Sequence, residues 1–313
     1  MSSNPLISII IPNYNHAKFL NKRINSILQQ TYNNYEIIIL DDCSTDNSKE
    51  IIEEYRSNPK VSQIIYNDSN SGTTFKQWEK GLNISKGEYI WIAESDDYCD
   101  NDILETLVNE INKSNNVSIA YCSSQYVDIN EKKLPPIAPI TNEIKFYDSK
   151  TFIKEKMFFG SGIWNASSAI FKKSLALSIN KDYMNYKAAG DKLFWILLAE
   201  KGNVIYVKSP KNYFRQHENK VSPRKLLDGT TSNESYKIFK YLIKKGYVDF
   251  FSNLRIREYY INELKSIRGM AKKTYKELYL QWTEYGLLSE HIINIAYICH
   301  AKINKIISCI QRK

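Results

Sequence analysis

Strand-like and helix-like segments alternate regularly through the first part of the sequence. The first run, residues 6–11, consists almost entirely of branched aliphatic side chains and is closed by Pro12, as is typical of a parallel strand buried on both faces. The predicted strands are residues 6–11, 35–40, 61–66 and 87–93, and the predicted helices between them are residues 16–30, 48–55 and 73–84. Strands that alternate with helices form βαβ units with right-handed crossovers. The sequence therefore predicts an α/β fold with a mostly parallel central sheet flanked by helices.

Beyond residue 126 the alternation is less regular. The pattern predicts a loop at residues 134–139, strands at 164–172 and 204–207, and a helix at 191–200, and it is helical from about residue 233. A chain of 313 residues exceeds the usual size of one compact domain. We therefore expect an α/β domain over residues 1–223 and a helical, basic C-terminal extension over residues 224–313.

The net charge of +9 is concentrated towards the C-terminus. Residues 201–313 hold 22 Lys and Arg against 9 Asp and Glu, whereas residues 1–200 hold 21 against 25. The last predicted helix also carries an apolar stripe at three- and four-residue steps, formed by Ile292, Ile295, Cys299, Ile303, Ile306 and Ile310. Such a helix packs on its own domain, pairs with a partner helix or lies on an anionic membrane surface, and the sequence leaves these three open. No nucleic-acid-binding motif accompanies the basic residues, so we expect no nucleic-acid partner.

The cysteine pattern and the hydropathy indicate a compartment for the chain. The five cysteines form neither a CxxC pair nor a Cys/His cluster, which argues against a disulfide framework and against a structural zinc site. The N-terminal apolar run is too short for a signal peptide, and no stretch reaches the ~18 apolar residues that a membrane-spanning helix needs. We expect a cytoplasmic protein, peripheral on the inner face of the cell membrane if the last helix is interfacial.

Acidic residues follow two of the predicted strands. Asp41 and Asp42 follow one strand, and Glu94, Asp96 and Asp97 follow another. Ligands of parallel sheets bind beyond the carboxyl ends of the strands. One acidic residue there commonly caps the next helix, but three clustered carboxylates repel one another unless a cation lies between them. The second cluster therefore predicts a Mg²⁺ or Mn²⁺ site that would neutralise a diphosphate leaving group.

Three motifs stand in order along the chain: residues 8–15 (SIIIPNYN), 39–46 (ILDDCSTD) and 86–97 (KGEYIWIAESDD). Together they resemble the family 2 glycosyltransferases of the GT-A fold, over about residues 6–223. The resemblance implies a Rossmann-like domain and a metal-dependent enzyme. It implies transfer of a sugar, with inversion, from a UDP- or dTDP-sugar to a hydroxyl of a glycan or lipid-linked saccharide, in the synthesis of surface polysaccharide.

The resemblance also implies roles for single residues. Nucleotide-sugar binding would fall to Pro12, Tyr14, Asn15, Asp42, Lys76, Asp96 and His217, and the metal to Glu94, Asp96 and Asp97. Pro12 and Tyr14 would line the nucleobase pocket, and Asp42 would bond the base or ribose. Asp97 would touch the cation, Asp96 the ribose or the cation, and Glu94 would reach the cation through water.

One departure from the family pattern concerns the donor. Many members carry an Arg-Asn pair shortly before the Gly that precedes the fourth strand, whereas this chain has Trp78 and Glu79 there. A basic contact to the sugar nucleotide is therefore missing or is supplied by Lys76.

The later segments suggest the catalytic base and the acceptor side. Residues 189–195 (AGDKLFW) resemble the segment that supplies the family's general base, which identifies Asp191, although an Asp before an apolar helix is also a common N-cap. His217 would contact the diphosphate or the metal, or is a structural histidine. Trp164 would stack on a sugar or pack in the core.

Two other functions stay open at this point. A nucleotidyltransferase is expected to carry a Gly-rich, basic phosphate loop after the first strand, where this chain has Pro-Asn-Tyr-Asn. A catalytically weak binding protein of the same fold would show a broken acidic motif. In this chain the change that points to a broken motif is Glu94 in place of Asp. An NAD-binding protein is disfavoured because no GxGxxG follows the first strand.

Overall fold

A computed structural model describes residues 4–136, 141–217 and 221–284 of the chain. The chain divides into two compact units, Met1–Lys220 and Val221–Lys313. Among the described residues, the first unit combines one sheet with helices, and the second unit is helical. No helix in this described part is long and apolar enough to cross a bilayer.

The described part of the first unit contains nine strands. They are β1 (Ile7–Asn13), β2 (Tyr35–Asp41), β3 (Val61–Tyr66), β4 (Tyr89–Ile92), β5 (Tyr98–Cys99), β6 (Val117–Val127), β7 (Ile144–Tyr147), β8 (Ala169–Lys172) and β9 (Asn203–Arg215). The sheet order is β3-β2-β1-β4-β8-β6-β9-β5, and β7 pairs with β9. Strands β1 to β4 pair in parallel, whereas β8 runs antiparallel between β4 and β6. The sheet is therefore parallel over its first four strands and mixed beyond them.

Helices flank this sheet and bury their apolar faces on it. They are α1 (Ala17–Leu28), α2 (Ser48–Glu54), α3 (Thr74–Ile84), α4 (Ile103–Asn112), α5 (Ser149–Phe152), α6 (Lys173–Leu177) and α7 (Gly190–Ala199), with a π-helical turn at Ile153–Met157 and 3₁₀ turns at Ala166–Ser168 and Lys181–Asn185. All seven residues of β1 are buried, as the run of almost entirely apolar residues predicts for a central parallel strand. The predicted α/β fold with a central sheet flanked by helices is confirmed.

A hydrogen-bonded network sets the register of the first strands. The Ser8 hydroxyl donates to Glu36 Oε1 at 2.6 Å, and the backbone N–H groups of Lys86 and Gly87 donate to Glu36 and Ser8, each at 2.7 Å. At Gly87 a Cβ atom would lie 2.4 Å from the Ser8 backbone nitrogen, so only glycine allows this approach. Because the starts of β1, β2 and β4 are fixed together, their carboxyl ends also lie together at one edge of the sheet.

The second unit is built from four helices in the described residues. They are α8 (Val221–Leu227), α9 (Thr230–Lys244), α10 (Phe250–Ser266) and α11 (Lys272–Thr283). Trp282 is wholly buried and stacks on Tyr260 with ring centroids 4.5 Å apart, and Arg257 donates to its carbonyl oxygen at 2.7 Å. The predicted apolar stripe from Ile292 to Ile310 lies outside the described residues, as does part of the predicted loop at residues 134–139.

Candidate functional site

The loops that follow β1 and β2 are bonded to each other. Asn13 and Ser44 both donate to Asp41 Oδ2, at 2.7 and 2.6 Å, and the Asn15 backbone N–H donates to the Ser44 hydroxyl at 2.9 Å. Asn15 and Cys43 have left-handed backbones with φ of 56° and 63°. Left-handed non-glycine residues are strained, and such strain tends to occur at functional loops. Asp41 is therefore the residue that holds the two strand ends together.

The predicted base-binding residues lie around these loops. Pro12 is buried within β1, whereas the Tyr14 side chain is 46% exposed and is accessible to a ring that would stack on it. The loop after β3 surrounds Asp42. Asp42 Oδ1 accepts from Asn67, Gln77 and the Ser71 backbone at 2.6, 2.7 and 2.9 Å, and Oδ2 accepts from the Ser71 hydroxyl at 2.7 Å.

Lys76 belongs to the same loop as Asp42. Its ammonium donates to the Ser71 carbonyl at 2.9 Å, and Ser71 is the residue that also binds Asp42. The structure thus brings Asp42 and Lys76, which the sequence places far apart, to the two sides of one serine.

Glu94 is directed towards Trp78 rather than towards solvent. The Trp78 indole N–H donates to Glu94 Oε1 at 3.1 Å, and Trp78 is itself buried. Burial, and after it the negative charges of Asp96 and Asp97, raise the pKa of Glu94 to about 8. Trp78 and Glu94, two of the positions at which the chain departs from the family pattern, are therefore partners.

Asp97 is wholly buried and is bonded to protein through both oxygens. Oδ2 accepts from Asn165 at 2.7 Å and from the Ser167 hydroxyl at 2.8 Å, and Oδ1 accepts from the Arg215 backbone at 3.0 Å. Burial, and then Asp96, raise the pKa of Asp97, while Arg23 opposes the shift. In this arrangement Asp97 holds β9 and the turn before β8 against the acidic segment. The metal roles expected for Glu94 and Asp97 stay predictions.

Asp96 lies instead beside two histidines. Its Oδ2 is 2.9 Å from His217 Nε2, and one ligand atom from each of His16, Asp96 and His217 lies within 4.8 Å of the others. His16 Nδ1 is 2.8 Å from the Ser95 hydroxyl oxygen, and the Phe19 ring packs against both imidazoles. Burial lowers the pKa of His16, which keeps the imidazole neutral and able to bind a metal.

This cluster contains one residue that sequence reasoning missed. His16 directly follows the motif of residues 8–15 and precedes α1, so it lies at the same edge of the sheet as Asp42 and Asp96. That position was the available signal. One carboxylate oxygen and two imidazole nitrogens form a donor set that fits a transition metal such as Mn²⁺ better than Mg²⁺, which prefers oxygen.

A buried cation lies beneath the acidic segment. Arg23 of α1 is wholly buried, donates through Nε to the Glu94 carbonyl at 2.9 Å, and packs its guanidinium over the Trp91 ring at 5.5 Å. Arg23 therefore fixes the backbone at the start of the segment and offsets part of its negative charge.

Asp191 lies at the start of α7, but it is not the N-cap. The cap residue is Ala189, and Asp191 is the second residue of the helix, with Oδ1 accepting from the Lys192 backbone at 2.7 Å. The helix start is closely packed, because a Cβ atom on Gly190 would lie 2.5 Å from the Phe75 ring. Asp191 therefore satisfies a backbone N–H in the first turn of α7 without being its N-cap.

The helix that carries Asp191 is linked to the acidic segment through Trp78. The rings of Phe194 and Trp195 lie 5.5 and 6.4 Å from Trp78, which binds Glu94. Trp164, the residue predicted to contact a sugar or to pack in the core, is 52% exposed, so it does not pack in the core.

The sequence is similar to those of several known proteins. Residues 8–174 match the family profile described as glycosyl transferase family 2. The glycosyltransferase GlyG of Streptococcus pneumoniae is 32% identical over 181 residues, 58% of this chain and 58% of its own length. The putative teichuronic acid biosynthesis glycosyltransferase TuaG of Bacillus subtilis is 35% identical over 101 residues, 32% of this chain and 40% of its own. The chain thus spans less than two thirds of the length of these curated relatives.

Solved structures show a similar fold. The crystal structure of S. aureus TarS 1–349 in complex with UDP-GlcNAc matches with a TM-score of 0.66 at 19% identity, over 89% of this chain and 80% of that chain. The mannosyltransferase PcManGT from Pyrobaculum calidifontis, in complex with GDP-Man and Mn²⁺, matches with a TM-score of 0.56 at 14% identity, over 96% and 81%.

Proposed function

The chain belongs to glycosyl transferase family 2, and from that premise we propose that it moves a sugar, with inversion, from a nucleoside-diphosphate donor to a hydroxyl of a saccharide acceptor. The donor that we propose is a UDP- or dTDP-sugar, and the acceptor is a glycan or a lipid-linked saccharide of a surface polysaccharide. The observation that carries the proposal is the cluster of Asp96, His16 and His217 at the carboxyl edge of the parallel strands.

The donor side of the proposal rests on the loops after β1 and β2. Tyr14 exposes a ring on which a base can stack, and Asp42 is held by four donors in one orientation. TarS and PcManGT, which share the fold, hold UDP-GlcNAc and GDP-Man respectively. We infer that the nucleotide of this chain's donor lies along the same strand ends.

The metal that we propose is Mn²⁺, held by Asp96, His16 and His217. When bound there, the cation would neutralise the charge on the departing diphosphate. Arg215 Nε donates to the Asp96 carbonyl at 2.9 Å, and Asp97 accepts from the Arg215 backbone, so these two residues hold Asp96 and His217 in register. Asp191 takes the proton from the acceptor hydroxyl as that oxygen attacks the anomeric carbon.

A panel of sugar nucleotides tests this proposal. We expect isothermal calorimetry to show that Mn²⁺ tightens the binding of one UDP- or dTDP-sugar by about tenfold or more, which corresponds to ~1.4 kcal/mol, and more than Mg²⁺ does. Asp96→Asn and His16→Gln should remove this gain, because each removes one of three donors. Asp102→Asn is the matched control, since Asp102 binds Lys211 at 2.7 Å outside the cluster.

Equal nucleotide affinity in the presence of Mn²⁺ and of a chelator would contradict the metal site. Mn²⁺-dependent binding with no transfer to any acceptor would favour the catalytically weak binding protein instead.

We also propose a cytoplasmic location with peripheral attachment to an anionic membrane surface through the last predicted helix. The proposal rests on the excess of Lys and Arg over residues 201–313 and on the apolar stripe from Ile292 to Ile310. Neutralising Lys302, Lys305, Arg312 and Lys313 as glutamines should weaken flotation with phosphatidylglycerol vesicles and leave nucleotide binding unchanged. Removal of residues 285–313 should abolish flotation. Flotation that is absent in the full chain would contradict the attachment.

A further inference from the structure

The first unit contains a cavity that the donor site does not use. Its volume is about 250 Å³, and it lies over β6 and β9, between the π-helical turn and the segment before β8. This is at the low end of the ~300–1,000 Å³ typical of ligand pockets, so it suits a single ring more than a long chain.

The walls of this cavity combine aromatic rings with small polar groups. Tyr121 and Tyr206 stack at 4.5 Å with nearly parallel rings, and the Tyr206 hydroxyl is 2.7 Å from the Ser123 hydroxyl. Gln125 and Ser168 contribute polar groups to the lining. A pyranose has the matching surface, because its C–H faces pack on aromatic rings and its hydroxyl edge forms hydrogen bonds.

Trp164 is the distinctive residue of the lining. The chain has five tryptophans, and the other four, Trp78, Trp91, Trp195 and Trp282, are buried, whereas Trp164 is 52% exposed. An exposed indole on the wall of a concave pocket is typical of a binding surface rather than of a core.

The charge of the lining identifies the kind of ring. Glu155 and Lys156, which are consecutive in sequence, contribute one charge of each sign to the lining, and no arginine is among the described residues that line the cavity. The Lys156 ammonium lies over the rings of Tyr147 and Tyr206, at 5.7 and 6.0 Å. Recognition of phosphate or carboxylate depends on an excess of cationic donors, above all arginine. The cavity is therefore suited to an uncharged ring.

The cavity also adjoins the acidic segment. Trp164 and Ser168 line the cavity, and the residues between them include Asn165 and Ser167, which bind Asp97. One short stretch of chain thus has the cavity on one side and the Asp97 carboxylate on the other.

We propose that this cavity binds an uncharged pyranose ring of the acceptor, such as a hexose or an N-acetylhexosamine, against Trp164. That the bound ring belongs to the acceptor rests on the proposed function. The binding of the ring itself requires neither the donor nor the metal.

Quenching of tryptophan fluorescence by iodide tests this binding on the full chain. Because the other four tryptophans are buried, iodide reports mainly on Trp164. The probes are the methyl glycosides of glucose, galactose, N-acetylglucosamine and N-acetylgalactosamine, with methyl glucuronide and ribitol 5-phosphate as anionic comparisons. We expect at least one neutral glycoside to protect Trp164, with a dissociation constant on the order of 1 mM, and the anionic probes to protect it at least about tenfold less well.

Saturation-transfer NMR with the same glycoside then tests the residue. Trp164→Ala should remove the signal and Trp164→Phe should keep part of it. Phe146→Ala should leave the signal unchanged, because Phe146 is equally exposed, at 53%, and lies outside the lining. No protection by any neutral glycoside, stronger protection by the anionic probes, or an unchanged signal in Trp164→Ala would each overturn the proposal. Failure of sugar-nucleotide binding with this signal intact would count against the proposed function alone.

Discussion

We expect Asp191→Asn to lower the rate of sugar transfer by about 100-fold or more, the scale usually lost with a positioned general base, while donor affinity and the fold survive. The asparagine has nearly the same size but cannot accept the acceptor's proton. The amide oxygen of asparagine can still accept from the Lys192 backbone N–H, so the change keeps the hydrogen bond that Asp191 forms in the first turn of α7. The measurement is single-turnover transfer with the donor and acceptor found in screening, alongside calorimetry of donor binding.

Asp182→Asn provides the matched control for this variant. Asp182 lies in the 3₁₀ turn that precedes α7 and is exposed, so its change should leave transfer within about twofold of wild type. NMR of the product should show an anomeric configuration opposite to that of the donor. Transfer by Asp191→Asn at a nearly wild-type rate, together with a lower melting temperature, would mean that Asp191 is structural and that another residue is the base.

Arg23→Met should lower the free energy of unfolding by about 3 kcal/mol. The substitution keeps an unbranched side chain of similar length but leaves the carboxylates of the acidic segment without the cation that lies beneath them. Lys22→Met, at the preceding position of α1, is the control. The Lys22 side chain is 42% exposed and pairs with Glu131 at the surface, so its loss should cost at most ~1 kcal/mol. Urea unfolding measures both.

The loss of unfolding free energy caused by Arg23→Met should also depend on pH. Burial raises the pKa of Glu94 to about 8, so the folded chain holds this proton between about pH 4.5 and 8, where the unfolded chain has released it. Stability from this group therefore falls as pH rises through that window. Without Arg23 the carboxylate is still harder to ionise, so the difference between the unfolding free energies of variant and wild type should widen as the pH rises through about 8, where Glu94 of the wild type ionises. A difference that stays constant would show that Arg23 acts by packing alone.

The first half of the fold could be predicted because each element there carries its own signal. Residues 61–66 form β3 with the predicted bounds. The ends of the other early strands and helices lie within two residues of the predicted ends. The hydrophobic pattern of the sequence did not predict the bounds of strands that depend on pairing with distant strands. β9 extends from Asn203 to Arg215, far beyond the predicted 204–207, because pairing with β6 and β5 draws in polar residues. β6 and α4 were not predicted, although α4 carries helical apolar spacing.

The candidate site shows the same division. Its location after β2 and β4 followed from the sequence, since ligands of parallel sheets bind at those ends. The direction of each side chain did not follow, because it depends on distant partners. The Glu94 side chain binds Trp78, and the Asp97 side chain binds Asn165 and Ser167. The Asp96 side chain lies beside His16 and His217.

The bonds that connect the acidic segment to β9 span most of the first unit. Asp97 meets Arg215 across 118 positions of sequence, and Asp96 meets His217 across 121. Contacts between residues so far apart in sequence form late in folding, because closing the long loop between them costs entropy before the contact is made. The family match ends at residue 174, before β9 begins. A nascent chain of that length would carry the Asp42 loop but not His217, the histidine that binds Asp96. If the proposed metal binds this cluster, it would therefore bind only after nearly the whole first unit has been synthesised and folded.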